Sequence, residues 1–148
     1  MNRREKGKAM REQSIGSAFP ESADPSGAGR LVGYFSRLPE DMTGVCELEI
    51  GPQHLNRLGL LHGGFISMLL DNGCGLAVLN CVRSRGETAV TMTLSVSFIA
   101  GVAVGRVKAT GRVTGGGQNV QFAAAELHDD NGRLLATATG SFRIIKGS

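Results

Sequence analysis

Tryptophan is absent from this 148-residue chain, tyrosine occurs once, and aromatic residues make up only 5%. Stacking platforms for nucleic-acid bases are therefore scarce. Nor are the basic residues clustered: residues 1–30 carry six Lys or Arg against four Asp or Glu, and residues 31–148 carry ten against nine. A net charge of +3 spread in this way argues against a nucleic-acid surface. Cysteine is scarce as well. Cys46, Cys74 and Cys81 cannot all pair and have no metal-ligand spacing, and two of them lie in an apolar run where a free thiol packs as a small hydrophobe. That usage fits a reducing cytoplasm. The N-terminus lacks the apolar core of a secretory signal, and no stretch reaches the roughly 18 apolar residues expected of a membrane span.

Residues 1–29 hold Pro20, Pro25, scattered charges and little apolar periodicity, which predicts a flexible N-terminal tail, with a short charged helix conceivable over 3–13. Residues 30–148 are then one domain of ordinary size. Within it, "RLVGYFSRL" reads as a strand. "VCELEI" alternates Cys46, Leu48 and Ile50 with Glu47 and Glu49, the period-two pattern of a half-buried strand. After residue 87 only strand patterns remain. "AVTMTLSVSFI" sets Val90, Met92, Leu94, Val96 and Phe98 against Thr91, Thr93, Ser95 and Ser97, and "RVKATGRVT" follows. "NVQFAAAELHD" and "RLLATATGSFRII" flank Asp130-Asn131-Gly132, a hairpin turn with glycine where positive φ is needed.

Between these two groups of strands, a helix is expected from about Gly63 to Val82. It is apolar nearly all round, so it must be covered nearly all round. An α+β fold follows, in which one long central helix is wrapped by a curved antiparallel sheet of five to six strands, the hotdog arrangement. One acid, Asp71, interrupts the helix. A buried, unpaired carboxylate costs several kcal/mol, and Asp71 lies too deep in the helix to cap it. A local pairing with Asn72 or the preceding loop is one account; a catalytic carboxylate at a cleft edge is the other. At the helix start, His62-Gly63-Gly64 leaves backbone N–H groups approachable where the macrodipole favours negative charge, which suits a developing oxyanion. An ordinary glycine turn would read the same, and His62 fits either a general base or a brace for its loop. Asp71 stands eight residues beyond Gly63, roughly 12 Å along the axis at ~1.5 Å per residue. If both serve one site, Asp71 comes from a neighbouring subunit across a two-fold interface.

Asn56, Gly59, His62-Gly63-Gly64 and Asp71, followed by "TMTLSVSFI" and the closing "DNGRLLATATGSF", resemble the hotdog-fold acyl-CoA thioesterases of the PaaI-like, phenylacetic-acid-degradation type. The resemblance covers most of residues 31–146. It implies hydrolysis of acyl-CoA or aryl-acyl-CoA thioesters to the acid and coenzyme A, with no metal or redox cofactor, coenzyme A being part of the substrate. It further implies that Gly63 polarises the thioester carbonyl through its N–H. Asp71 of the opposite subunit acts as general base or nucleophile, Asn56 orients the thioester or the water, His62 braces the loop, and Thr91 holds water beside the acid. Gly64, Phe65, Met68 and Met92, with Phe98, are expected around the substrate. A homodimer with shared sites is implied, assembling further into a tetramer. Two features depart from the pattern. Ala100-Gly101 stand where relatives usually have proline, and the turn Gly115-Gly116-Gly117-Gln118 lacks the usual basic residue. Arg83, Arg85, Arg106, Lys108 and Arg112 remain as candidates for phosphate contacts. Two alternatives are a hotdog-type enoyl-CoA hydratase and a non-catalytic acyl-CoA-binding sensor. The hydratase places a His on the helix, where this chain has none after His62; the sensor needs a DNA-binding partner domain.

Overall fold

A computed structural model describes residues 24–147. The element order is α1 (Gly27–Val32), β1 (Phe35–Arg37), β2 (Gly44–Glu49), a 3-10 turn (Pro52–His54), α2 (Gly63–Val82), a second 3-10 turn (Arg83–Arg85), β3 (Thr88–Phe98), β4 (Arg106–Gly116), β5 (Val120–Asp129) and β6 (Leu134–Ile145). The strands form one six-stranded sheet in the order β1-β2-β4-β5-β6-β3, with every neighbouring pair antiparallel. The helix α2 lies on one face of this sheet and packs against all six strands. The expected hotdog architecture is therefore present, with α2 over the anticipated residues.

Most of the tail expected over residues 1–29 lies outside the described residues, but its boundary falls inside α1. Ser26 Oγ accepts the Gly29 N–H at 2.9 Å as the N-cap, and Gly33 closes the helix in the left-handed region at φ 86°. Asp24 N–H donates to Tyr34 O, and Val32 and Tyr34 are buried, so residues 24–29 are tied to the body. The strand expected over "RLVGYFSRL" is accordingly corrected. Arg30–Val32 end a helix, Gly33 turns the chain, and only Phe35–Arg37 pair with β2.

Strand β2 points Cys46 and Leu48 at α2, as its alternation predicts. Glu47 nevertheless is only 8% exposed on the other face, because Arg37 of β1 (3.0 Å) and Arg106 of β4 (3.7 Å) close over it. The helix reaches the sheet backbone at three glycines. A Cβ on Gly111 would collide with Gly73 O of α2, and one on Gly44, its register partner, with Ala77 N. Side chains of α2 such as Leu69, Leu70, Cys74 and Val78 are fully enclosed. By length and composition alone, the segment Gly63–Arg85 is apolar enough to cross a membrane. Asp71, Asn72 and Asn80 interrupt the run without outweighing the surrounding apolar residues, and the sheet covers much of it.

Burial pushes the Cys46 and Cys74 thiols up to about 12, well above the ordinary thiol range, since a buried thiolate is poorly solvated. The folded state thus holds these protons more tightly than the unfolded chain. Stability is expected to be full below pH ~9 and to fall above it, by up to about 1.4 kcal/mol per pH unit for each thiol. Urea melts at pH 8 and pH 10 should show this loss, reduced in a Cys46→Ala, Cys74→Ala protein.

Candidate active site

The start of α2 is built by the loop before it. Asn56 Oδ1 accepts the N–H groups of Leu58 (2.8 Å) and Leu60 (3.2 Å), its own N–H donates to Leu60 O, and Gly59 supplies the positive φ of 74° that the tight turn requires. The loop thus delivers His62 to the N-cap. There His62 Nδ1 accepts the Gly64 N–H at 2.8 Å, which places the ring proton on Nε2. A Cβ on Gly64 would stand 3.0 Å from that nitrogen, so glycine makes room for the ring. The N–H groups of Phe65 and Ile66 are taken by His62 O. Of the first-turn donors, only the Gly63 N–H has no partner among the described residues. The Phe98 ring lies over it, 3.2 Å from where a Gly63 side chain would begin.

Asp71 is half-buried two turns further along, and Thr91 Oγ1 of β3 donates to its Oδ1 at 2.7 Å. Strict alternation along β3 would have placed Thr91 on the face opposite Leu94, Val96 and Phe98. A bulge between Thr91 and Thr93 corrects that expectation. Thr91 pairs with buried Phe142 and Ala89 with buried Ile144, whereas beyond the bulge Leu94, Val96 and Phe98 pair with Gly140, Ala138 and Ala136. The extra residue switches the facing set, so Thr91 turns to α2 and Val90 turns away. Met92 occupies the bulge and is 47% exposed. Phe65 and Met68 are half-buried and pack on the core, and Phe65 meets the rings of His54 and His62 edge-on at 5.2 and 6.3 Å.

The predicted residues therefore fall into two groups within one chain. Asn56, His62, Gly63 and Gly64 form the corner, while Asp71 and Thr91 form an acid–hydroxyl pair roughly 12 Å along the helix. One residue of the corner was not anticipated. His54 is 2% exposed; its Nδ1 accepts the Gly51 N–H, its Nε2 donates to Val32 O at 2.8 Å, and its carbonyl accepts the His62 N–H at 2.9 Å. It fastens the corner to α1. The spacing His54-x-Asn56-x-x-Gly59-x-x-His62 was its only visible signal. Among the described residues, no three His, Cys, Asp or Glu side chains form a metal-ligand cluster.

This arrangement can be set beside known proteins. The model of the thioesterase superfamily matches residues 58–136, a span that includes Gly63, Asp71 and Thr91. Mouse acyl-coenzyme A thioesterase 13 is 29% identical over 103 residues, covering 68% of this chain and 71% of its own. The Pseudomonas aeruginosa protein PA0474, named as an esterase, is 35% identical over 112 residues, covering 75% of this chain and 82% of its own. Among solved structures, the Escherichia coli PaaI protein of the phenylacetic acid degradation operon superposes with a TM-score of 0.75 at 20% identity, covering 97% of this chain and 94% of its own. With the matched model spanning more than half of its length, the chain belongs to the thioesterase superfamily.

Proposed function

We propose that the protein hydrolyses acyl-CoA thioesters, at two equivalent sites in a homodimer. Each site combines the Gly63 corner of one subunit with Asp71 and Thr91 of the other. The observation that carries the reading is the unpartnered Gly63 N–H. It is aimed from a helix N-terminus, where a thioester carbonyl gains most from a donor as negative charge develops on its oxygen. In the proposed step Asp71 takes a proton from water, and the oxygen of that water bonds to the thioester carbon. The Gly63 N–H and the helix dipole hold the oxyanion. The C–S bond then breaks, the carboxylic acid forms, and the coenzyme A thiolate leaves to be protonated. Thr91 has donated its hydroxyl proton to Asp71, so its lone pairs remain to accept from that water.

Support for the second subunit comes from β3. It pairs only with β6 among the described strands, which leaves an eleven-residue edge open with Val90, Met92 and Phe98 about half exposed. An edge of this length is normally covered. Its Thr91 end lies beside Asp71 and its Phe98 end beside Gly63. Two such edges paired antiparallel bring the Thr91 end of one next to the Phe98 end of the other, and with it Asp71 next to the corner of its neighbour. A dimer of dimers is expected through the outer sheet face, where Phe122 stands half exposed among Thr93, Ser95, Thr139 and Ser141. The three unpaired cysteines accord with a cytoplasmic enzyme.

The test is release of free coenzyme A thiol from short, medium, long and aromatic acyl-CoAs, with the mass in solution measured by light scattering. A kcat/KM of at least about 10⁴ M⁻¹s⁻¹ on one member is expected. No release from any of them would move the reading to a binding protein or a lyase, and an active monomer would sink the shared site.

A further inference from the structure

Three polar side chains are buried among the described residues: Glu47, His54 and Asn80. Glu47 is enclosed by the arginines of neighbouring strands, and Asn80 donates to Pro39 O (2.7 Å) and Thr43 O (2.9 Å) near the C-terminal end of α2. His54 sits at the opposite end of that helix and joins three stretches of chain. Its Nδ1 accepts from Gly51, its Nε2 donates to Val32 O, and its carbonyl accepts from His62. The Phe65 ring packs edge-on against it, with centroids 5.2 Å apart. One ring nitrogen must therefore be bare and the other must carry the proton. Only the Nε2–H tautomer satisfies both bonds, since the alternative sets one N–H against another.

Val32 belongs to a unit that is itself closed. Asp24 N–H donates to Tyr34 O at 3.1 Å, Ser26 Oγ lies 3.3 Å from the Tyr34 hydroxyl, and Val32 and Tyr34 are buried. His54 carries the position of this unit to the Gly63 corner. The effect on Gly63 follows from peptide geometry. The planar trans bond between His62 and Gly63 points the Gly63 N–H opposite the His62 carbonyl, and that carbonyl is spent on Phe65 and Ile66. Fixing His62 thus fixes the direction of the donor, and His54 holds His62 by its N–H.

We propose that His54 is a positioning residue for thioester hydrolysis, through which residues 24–34 and the turn Pro52–His54 keep the Gly63 N–H aimed at the developing oxyanion. It does not touch the reacting atoms. The inference rests on the proposed thioesterase reading and adds to it what holds the donor in line. A donor to an oxyanion acts mainly in the transition state, so a misaimed one lowers kcat and leaves KM nearly unchanged.

The experiment compares the wild type with His54→Ala, His54→Gln and His54→Asn. Asn80→Ala is the control, because it removes buried hydrogen bonds from the far end of the same helix. Glutamine can restore the donor to Val32 O and asparagine the acceptor for the Gly51 N–H, so each recovers one of the two ring bonds. Well below every melting temperature, His54→Ala should lose at least about ten-fold in kcat, with KM for the acyl-CoA within about two-fold. The Gln and Asn variants should each recover part of that loss, while Asn80→Ala lowers Tm and keeps kcat within about two-fold. Equal losses of kcat in His54→Ala and Asn80→Ala would overturn the proposal, as would an unchanged kcat in His54→Ala. If His54→Ala does not fold, wild-type kcat in both the Gln and Asn variants overturns it instead. The Gly63 amide resonance of ¹⁵N-labelled protein reads the corner without turnover. A shift of that resonance in the His54 variants and not in Asn80→Ala supports the proposal, and a resonance unmoved in all of them counts against it. A shifted Gly63 amide in a protein that hydrolyses no thioester would strike the catalytic reading and leave the aiming of the donor by His54 standing.

Discussion

Asp71→Asn is expected to lower kcat by at least about 100-fold, the usual contribution of a positioned acid–base group, while the fold and the dimer persist. Asparagine keeps the shape of the side chain, and its carbonyl oxygen can still accept the Thr91 hydroxyl that now donates to Oδ1 at 2.7 Å. What it loses is the ability to take a proton. Both the general-base and the nucleophilic account need the same ionised carboxylate, and the exchange removes it. Thr91→Val should have a smaller effect, because it deletes one hydrogen bond and the proposed water contact and leaves the acid in place. Thiol release under saturating acyl-CoA, together with thermal melts of both variants, makes the comparison. A fully folded Asp71→Asn enzyme with more than a tenth of the wild-type kcat would remove Asp71 from the chemistry.

The largest structural effect is expected from Gly111→Val. Gly111 of β4 stands against the backbone of Gly73 and Cys74 in α2, a contact with no flexible side chain that could give way. Any Cβ there must push the helix off the sheet. Overpacking ordinarily costs 1–3 kcal/mol; with backbone meeting backbone, about 3 kcal/mol or more is expected here. For a domain of this size that corresponds to a fall in Tm of roughly 10 °C or more. The consequence reaches function, because α2 carries both the Gly63 corner and Asp71. Thermal unfolding followed by circular dichroism decides it, and an unchanged Tm would show that the helix approaches the sheet less closely than the glycines indicate. Gly44→Val, on the neighbouring strand, should behave alike.

Much of this architecture is legible in the sequence. The apolar run from Gly63 to Val82 demanded cover on most sides, and one curved antiparallel sheet with a partner is the economical way to provide it. Asp71 stood out because nothing else in that run carries charge. Local patterns failed where the chain changes phase or folds back. Gly33, in the left-handed region, splits an apparent strand into α1 and β1. Glu47 looked solvent-facing because Arg37 and Arg106, which cover it, come from other strands. His54 escaped notice since its work is done through its carbonyl and through Val32 O.

The sequence by itself determined the chemistry available: a glycine corner at a helix start, one acid in an apolar helix, and a family pattern joining them. The tertiary structure decided how they are arranged. One extra residue at Met92 turns Thr91 toward Asp71, and periodicity cannot register this because a bulge leaves the composition of a strand unchanged while reversing its faces. The capping nitrogen of His62 leaves Gly63 as the one open donor of the first turn among the described residues, a selection made by hydrogen-bond geometry. The junction at His54 exists only because the fold brings Val32, Gly51 and His62 together around one residue. Residue types fix which interactions are possible; packing at fixed distances selects those that form.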